Sequence, residues 1–321
     1  ALLKKMKLIG KFIRIINVTK SEGGIYMSLS LQNVTKKYKD FVAVDHLSFN
    51  LEQGEIFGLI GQNGEGKTTT FRLILDLQET TEGTITWEGK PINSINRDEF
   101  GYLPEERGIF PQMKVEEQLI FFGEIRGMKK EEVKHVVDFW IKRFELDEKR
   151  NDKAETLSKG NQQKVQLIAS FLHNPKFLIL DEPFSGLDPV NKDLLKNAIL
   201  LLKEQGMTIL FSSHQMDNVE ELCDHLCLLK RGKPLFAGSL LDLKKQYGKI
   251  KLTVRTSHSE EELAKLPGVT SVKEDKDQYV LTLENESYAK GIFDVLSNGN
   301  YIEKFSLDYL TLDEIFKDKV G

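Results

Sequence analysis

Cysteine is almost absent from this chain of 321 residues, and long apolar runs are missing altogether. The two cysteines, Cys223 and Cys227, are too few for the disulfide framework of a small secreted protein. We interpret them as small buried side chains of a cytosolic protein, in preference to a metal or redox site. No window of about 18 uncharged apolar residues occurs, so the sequence predicts no membrane-spanning helix.

A surplus of either charge is also missing. The net charge is -4, with 29% charged and 40% hydrophobic residues, which is the composition of an ordinary soluble globular protein. Such a balance gives no general attraction to nucleic acid or anionic lipid, and we expect no nucleic-acid partner. The length exceeds that of a typical single domain, so the sequence predicts one large domain with an appendage.

The first 26 residues differ from the rest, because they carry six lysines and arginines against one acid, Glu22. A basic amphipathic segment of this kind could lie on a membrane surface. Lysines interrupt its apolar residues, which argues against a secretory signal. We prefer the interpretation that Met27 is the natural start and that 1–26 is a non-native extension.

A phosphate-binding loop is the strongest local pattern in the chain. Residues 61–69 fit G-x-x-x-x-G-K-S/T between a strand-like run, 55–60, and a helical pattern. Its glycines allow backbone N–H groups to turn towards a phosphate at the start of a helix, although an accidental glycine turn would match as well. Lys67 is predicted to reach the β- and γ-phosphates and Thr68 to bind Mg²⁺. The predicted nucleotide-binding residues of this loop are Gly61, Gln62, Asn63, Gly64, Glu65, Gly66, Lys67, Thr68 and Thr69.

Two acids follow a second buried strand. The apolar run 176–180 delivers Asp181 and Glu182 at its carboxyl end, where ligands bind in open α/β sheets. Asp181 is predicted to hold Mg²⁺ through its water shell and Glu182 to polarise the attacking water. A solvated turn is the alternative.

Periodicity divides the chain into three parts. Three β-segments precede the first helix, and three helical segments then form an insert in an α/β core with a mainly parallel sheet. The segments are 28–34, 42–49, 55–60, 115–127, 130–144 and 162–172. After about residue 248 the order β-α-β-β-α-β predicts a small α+β unit of ferredoxin-like fold.

Five motifs in sequence resemble the ATP-binding cassette of ABC transporters, over about residues 28 to 245. They are the phosphate loop, Leu157-Ser158-x-Gly160-x-Gln162, Asp181-Glu182-Pro183, Ser185-Gly186-Leu187-Asp188 and Ser212-Ser213-His214. The resemblance implies a P-loop NTPase of the α/β class with a mixed sheet and a helical subdomain at about 105–175. We expect an extension at 1–26, the cassette at 27–245 and an accessory domain at 246–321.

The resemblance also implies roles for individual residues. Tyr38 would stack on adenine, unless it is only a strand-edge tyrosine. Ser158, Gly160 and Gln162 would address the γ-phosphate held by a second cassette, although Ser158 alone reads as a helix cap. Asp188 would line the dimer seam. His214 would contact the γ-phosphate, unless it is merely satisfied at a strand end; the implied catalytic residues are Glu182, His214 and Lys67.

The sequence departs from the family pattern at two places. Lys159 and Asn161 replace the commoner signature residues, and Glu105 stands where most cassettes have a glutamine. Glu105 could ligate Mg²⁺ together with Thr68 and Asp181, but its charge lies near the γ-phosphate. Reduced or differently coupled hydrolysis is therefore an open alternative, in the extreme an ATP-gated regulatory module with little turnover. Glu182 argues against that extreme.

The stretches around Tyr102 to Gly108 and Lys159 to Lys164, with the small C-terminal unit, look most similar to bacterial sodium- and drug-exporter cassettes of the ABC-2 type. These imply ATP and Mg²⁺ as cofactors, a separate permease, a second cassette in a homodimer, and a peripheral position on the cytoplasmic membrane face. Apolar residues near the Glu105 loop would form the permease-docking groove or pack in the core: Phe110, Met113, Phe121 and Phe122. DNA-repair ATPases need a long coiled coil before the signature, and translation factors need two cassettes; neither is present.

Overall fold

The computed structural model describes residues 27–106, 108–298 and 301–320, so the predicted extension 1–26 lies outside the described residues. The chain forms two compact units, of which one ends at Ala237 and the other begins at Gly238. This division comes earlier than the expected boundary at 246, because a helix at 240–247 belongs to the second unit.

The first unit consists of two sheets and a group of helices. Its strands are β1 (Met27–Tyr38), β2 (Phe41–Glu52), β3 (Ile56–Ile60), β4 (Glu82–Trp87), β5 (Lys90–Pro91), β6 (Phe100–Leu103), β7 (Phe177–Leu180), β8 (Thr208–Ser213), β9 (His225–Lys230) and β10 (Lys233–Ser239), which runs into the second unit. Its helices are α1 (Lys67–Ile74), α2 (Val115–Ile125), α3 (Lys130–Arg143), α4 (Lys159–Phe171), α5 (Pro189–Glu204) and α6 (Met216–Leu222). These elements confirm the predicted α/β class.

The strands that precede the first helix contribute to both sheets. β1, β2, β4 and β5 form an antiparallel sheet in the order β2-β1-β4-β5. The other sheet has the order β10-β9-β3-β8-β7-β6, and its pairs from β9 to β6 are parallel. An aromatic group joins the two, since the ring centroid of Trp87 in β4 lies 4.9 Å from that of Phe177 in β7 and 5.5 Å from that of Phe100 in β6.

The largely parallel sheet positions the candidate site. All residues of β3, β7 and β8 are buried, as expected for strands covered on both faces. Parallel strands end at the same edge, so the segments that follow β3, β7 and β8 meet there. Those segments carry the phosphate loop, Asp181 with Glu182, and His214.

The three predicted helices of the insert are present as α2, α3 and α4. Trp140 of α3 packs against Phe171 of α4, with ring centroids 4.6 Å apart. Between α3 and α4, Arg150 pairs with Glu116 at 3.0 Å and with Asp138 at 2.8 Å. These contacts hold the segment that precedes α4 against α2 and α3. The signature lies at the start of α4 and follows this segment directly.

The second unit has the predicted β-α-β-β-α-β order with a helix at each end. Its elements are α7 (Leu240–Tyr247), β11 (Ile250–Arg255), α8 (Glu260–Ala264), β12 (Val269–Asp275), β13 (Gln278–Leu283), α9 (Tyr288–Ser297), β14 (Lys304–Tyr309) and α10 (Leu312–Val320). All neighbours in the sheet β12-β13-β11-β14 are antiparallel. Leu252, Leu281, Leu263, Ile292 and Leu296 form its core.

Both cysteines are free and buried, as the sequence predicted. Burial raises the pKa of both thiols, that of Cys227 to about 12. Within the described ranges, no helix combines the length and the apolarity needed to cross a membrane.

Candidate functional site

The phosphate loop connects β3 to α1 through two glycines in the left-handed region. Gly64 has φ 86° and Gly66 has φ 98°. A Cβ on Gly66 would lie 2.4 Å from the carbonyl oxygen of Ala43, so only glycine fits there. A Cβ on Gly64 would meet nothing within 4 Å, which leaves open space beside the backbone at this point. The Cα of Gly64 therefore faces open space, whereas that of Gly66 packs against the backbone of Ala43.

Lys67 lies inside the loop that it follows. Its Nζ donates to the carbonyl oxygens of Gly61 at 2.7 Å and Gln62 at 3.2 Å. It also lies 3.2 Å from Oε1 of Glu182, and both side chains are 5% exposed. Although this is ion-pair distance, Oε1 of Glu182 has no hydrogen-bond partner among the described residues, so the contact is an ion pair without hydrogen-bond geometry. A buried ammonium thus faces a buried acceptor that can take a proton or accept a hydrogen bond.

Asp181 is held by two hydroxyl groups. Thr68 Oγ1 donates to its Oδ2 at 2.9 Å, and Ser212 Oγ donates to its Oδ1 at 2.6 Å. Burial raises the pKa of Asp181, although the two hydroxyls oppose this shift. In the described part of the chain, no cluster of three His, Cys, Asp or Glu side chains could hold a metal. A Thr–Asp pair suits Mg²⁺, which keeps waters and takes phosphate oxygens for most of its coordination.

Glu182 is fixed at both its backbone and its side chain. Its N–H donates to Ser212 Oγ at 2.9 Å, and its Oε2 lies 2.8 Å from Nδ1 of His214. Its φ of 50° is rare for a residue with a side chain. His214 follows β8 and is 44% exposed, so it links the buried carboxylate to the outer side of the site.

Ser212 joins the two acids, although the sequence predicted no role for it beyond its place in a motif. One hydroxyl accepts from the N–H of Glu182 and donates to Asp181. Its position before Ser213 and His214 at the end of a buried strand was the available signal. The structure therefore brings together Lys67, Thr68, Asp181, Glu182 and His214, all predicted, around one unpredicted serine.

The signature residues lie at the start of α4. Ser158 caps this helix and accepts from the N–H of Asn161 at 3.3 Å. A Cβ on Gly160 would lie 3.1 Å from Nδ2 of Asn191. Gln162 is buried and donates to the carbonyl oxygen of Ala154 at 2.8 Å. Its amide nitrogen is thus used within its own chain, whereas its Oε1 has no hydrogen-bond partner among the described residues, and the contact with a second cassette stays a prediction.

Asp188 is the cap of α5 and accepts from the N–H of Asn191 at 3.0 Å. These hydrogen bonds to Asn191 lower the pKa of Asp188. Since Gly160 also adjoins Asn191, the start of α4 and the start of α5 are neighbours. The hydrogen bonds of Ser158 and Asp188 given above are made to residues of these two segments, and none of them is made to the phosphate loop of the same chain.

Three predicted residues lie at the margin of the site. Tyr38 is 41% exposed; its hydroxyl donates to Gln78 Oε1, and Lys36 Nζ lies 5.1 Å from its ring centroid. The carboxylate of Glu65 accepts from the N–H of Arg231, in the turn between β9 and β10. Glu105 is exposed after β6, and the hydrogen bonds of Thr68 and Asp181 given above do not include it.

The loop that carries Glu105 is nevertheless tied to the site. The N–H of Asp181 donates to the carbonyl oxygen of Leu103 at 2.8 Å. Burial, with the charge of Asp181, raises the pKa of Tyr102 to about 12. In the adjacent helical insert, Phe110, Phe121 and Phe122 form a ring cluster with centroids 5.6 to 6.0 Å apart.

Comparison with known proteins gives matches over both units. Residues 44–185 match the family described as ABC transporter, and residues 238–320 match the C-terminal domain of DrrA1-3-like ATP-binding proteins. An uncharacterized ABC transporter ATP-binding protein of Bacillus subtilis, YhaQ, is 47% identical over 91% of this chain and 98% of its own length. Nod factor export ATP-binding protein I of Sinorhizobium fredii is 35% identical over 66% of this chain and 63% of its own length. A solved ATP-binding subunit of an ABC transporter aligns with a TM-score of 0.64 and 30% identity, covering 68% of this chain and 93% of that one.

Proposed function

Since this chain belongs to the ATP-binding proteins of ABC transporters and carries a DrrA-like C-terminal domain, we propose that its ATP hydrolysis drives export through a separate membrane permease. The observation that carries the proposal is the convergence of Lys67, Glu182 and His214 beside the phosphate loop. Export is supported by the relative from Sinorhizobium fredii, whose name describes export of Nod factor.

The chemistry follows from what each group can do. Lys67, already directed into the loop, would move its ammonium from the Gly61 and Gln62 carbonyls to the β- and γ-phosphates. Thr68 and Asp181 would hold Mg²⁺, which neutralises phosphate charge when bound. Glu182 Oε1, which lacks a hydrogen-bond donor, would accept from the attacking water, while His214 fixes the other carboxylate oxygen.

A second copy of the chain would complete the site. The first turn of α4 contains no acid and carries Lys159 in addition to the helix N-terminus, so it is electrostatically complementary to a phosphate. The residues at this end bond to neighbours outside the phosphate loop of their own chain. Hydrolysis would thus depend on ATP-driven closure of a head-to-tail homodimer, with Ser158, Gly160 and Asp188 at the seam.

The permease would bind at the helical insert. Phe110 and Phe121 are 44% and 39% exposed although their rings pack on one another, and such clustered exposed aromatics are typical of interaction sites. The protein would then lie peripherally on the cytoplasmic face of the membrane. The exposed Glu105 lies on the loop between this cluster and Asp181. It would couple permease binding to the nucleotide site.

The test combines purification from membranes in mild detergent with Mg²⁺-dependent ATPase assays. Glu182→Gln should abolish hydrolysis while retaining ATP binding, and it should accumulate an ATP-bound dimer. The matched control is Glu204→Gln at the exposed end of α5, which should behave as wild type. Mass spectrometry should identify a polytopic protein in the purified complex. Hydrolysis by Glu182→Gln would refute the assigned base, and absence of a membrane protein would favour the regulatory module.

A further inference from the structure

The sheet of the second unit has two edges that differ in kind. The β12 edge has a register shift between Val269 and Ser271 and ends in the acids Glu274 and Asp275. Bulges and charges of this sort protect natural edge strands from pairing with another chain. The β14 edge has no bulge, since β14 pairs with β11 from Lys304 to Tyr309 without any register shift, and its two charged residues, Lys304 and Asp308, are opposite in sign.

The two faces of β14 differ in polarity. Lys304, Ser306 and Asp308 alternate with Phe305, Leu307 and Tyr309, so one face is polar and the other apolar. Leu307 is 38% exposed. Phe293 of α9 is 43% exposed and packs edge-to-face on Phe305, with ring centroids 5.1 Å apart. An exposed apolar surface therefore continues from this edge onto the adjacent helix.

We propose that β14 pairs antiparallel with β14 of a second copy of this chain, with Ser306 opposite Ser306. The four-stranded sheets would join into one continuous sheet across a twofold axis. In this register Lys304 of each copy lies opposite Asp308 of the other, and Phe305 lies opposite Leu307. Opposite charges thus meet on the polar face, and apolar side chains meet on the other.

The separation of polar and apolar faces, together with the charges of Lys304 and Asp308, favours this register over the two neighbouring registers considered next. A shift of one residue would place Phe305 opposite Asp308, which mixes the polar and apolar faces. A register centred on Leu307 would place Ser306 opposite Asp308 and leave Lys304 opposite Leu310. Within its own copy, Lys304 donates to the neutral amide of Gln278 at 3.1 Å, and Asp308 accepts from Ser306 at 3.0 Å. Both charges are exposed and available to a partner strand.

This contact involves no residue of the phosphate loop, so it does not depend on the function proposed above and forms without ATP. It would keep two cassettes linked while their nucleotide sites are open. Such a link converts closure of the cassettes into an intramolecular step with a high effective concentration.

The test measures the oligomeric state of the full chain by sedimentation in nucleotide-free buffer. Wild type should be a dimer. Lys304→Asp and Asp308→Lys should each raise the dimer dissociation constant about tenfold or more, because two attractive pairs become two repulsive ones. An equimolar mixture of the two variants should dimerise as wild type, since the introduced carboxylate of one variant would face the introduced ammonium of the other.

The matched control is Lys273→Asp on the opposite edge, β12, which should leave the dimer intact. Circular dichroism of each variant separates loss of pairing from loss of folding, and recovery in the mixture requires folded partners. Cysteine substitution measures the register directly: Ser306→Cys should oxidise to a disulfide-linked dimer, and Ser271→Cys should not. The two native cysteines are buried and therefore do not compete in this reaction. Monomeric wild type, or variants whose mixture fails to recover, would overturn the proposal.

Discussion

Replacing Ser212 with alanine removes one hydroxyl that serves both acids of the site. The side chain is fully buried and bridges the carboxylate of Asp181 and the N–H of Glu182. Alanine fits the same space, because it only lacks the oxygen. The variant therefore leaves two buried polar groups without this partner and changes little else.

The expected loss of stability follows from these two bonds. A hydrogen bond to a charged group contributes about 1.5–3 kcal/mol, and a buried N–H left unsatisfied costs about 1–3 kcal/mol. We expect the free energy of unfolding to fall by about 3 kcal/mol at neutral pH. The turnover number for ATP should also fall, because the backbone at Glu182 loses an anchor.

The pH dependence gives a sharper signature. The pKa of Asp181 is raised in the fold by burial, and the Ser212 hydroxyl opposes that rise. The variant should raise this pKa further. A carboxyl group with a raised pKa destabilises the fold in its ionised form, and this cost disappears as pH falls through the folded pKa. The deficit of the variant against wild type should therefore shrink as the pH is lowered.

The assay is urea unfolding of both proteins across a pH series, without nucleotide. Ser170→Ala is the matched control, because Ser170 is also buried but donates only to the carbonyl oxygen of Leu167 in its own helix, at 2.7 Å. It should lose about 1 kcal/mol or less, at every pH. Equal losses for the two variants, or a Ser212→Ala deficit that does not change with pH, would contradict the bridging role.

Three further substitutions test the binding loop. Lys67→Ala should weaken ATP binding by roughly ten- to a hundredfold in calorimetry, because charge-assisted hydrogen bonds to phosphate are lost, and unchanged affinity would refute its role. Glu65→Gln keeps an acceptor for the Arg231 N–H and removes a negative charge, so this variant should bind ATP at least as tightly as wild type. Glu65→Ala should bind ATP severalfold more weakly than Glu65→Gln, because the hydrogen bond to Arg231 is lost. Equal ATP affinities of the two variants would exclude a role for that bond. Tyr38→Phe should retain the KM for ATP and Tyr38→Ala should raise it about tenfold if the ring stacks on adenine, and identical KM values would argue for a strand-edge tyrosine.

The sequence predicts those parts of the molecule whose determinants are contiguous. The phosphate loop is read from one run of nine residues, because strand, glycine turn and helix all follow each other directly. The helices α2 and α3 were predicted within a residue or two, since their apolar spacing is regular. The family that the five motifs suggested is confirmed by relatives that match most of the chain.

Contacts between distant segments could not be predicted in this way. Ser212 reaches Asp181 because β8 lies beside β7 in the sheet, and Glu65 reaches Arg231 across 166 positions in the chain. Strand order is set by tertiary packing, so no local pattern contains it. Gln162 is a further case, since its amide nitrogen donates to the carbonyl oxygen of Ala154, a contact within the chain that the motif did not predict.

Two elements, β10 and α7, were not predicted at all. The β10 segment contains Pro234 and Gly238, which are depleted in strands, and none of its residues is buried. The short helix α7 depends on its ends, where Ser239 accepts from the N–H of Asp242 and Gly248 adopts φ 75°. Both elements lie at the point where one compact unit ends and the other begins, before the boundary expected at 246.

The backbone of Glu182 has a consequence for laboratory evolution of this protein. Its φ of 50° disfavours any residue with a Cβ by about 1 kcal/mol relative to glycine. Glycine there would relieve that strain but would leave the buried ammonium of Lys67 without its carboxylate partner, which costs about 3–5 kcal/mol. Selection for heat tolerance alone would therefore keep an acid at position 182, and with it the group assigned to water activation. In a library screened only for thermal resistance, we expect this position to stay unchanged.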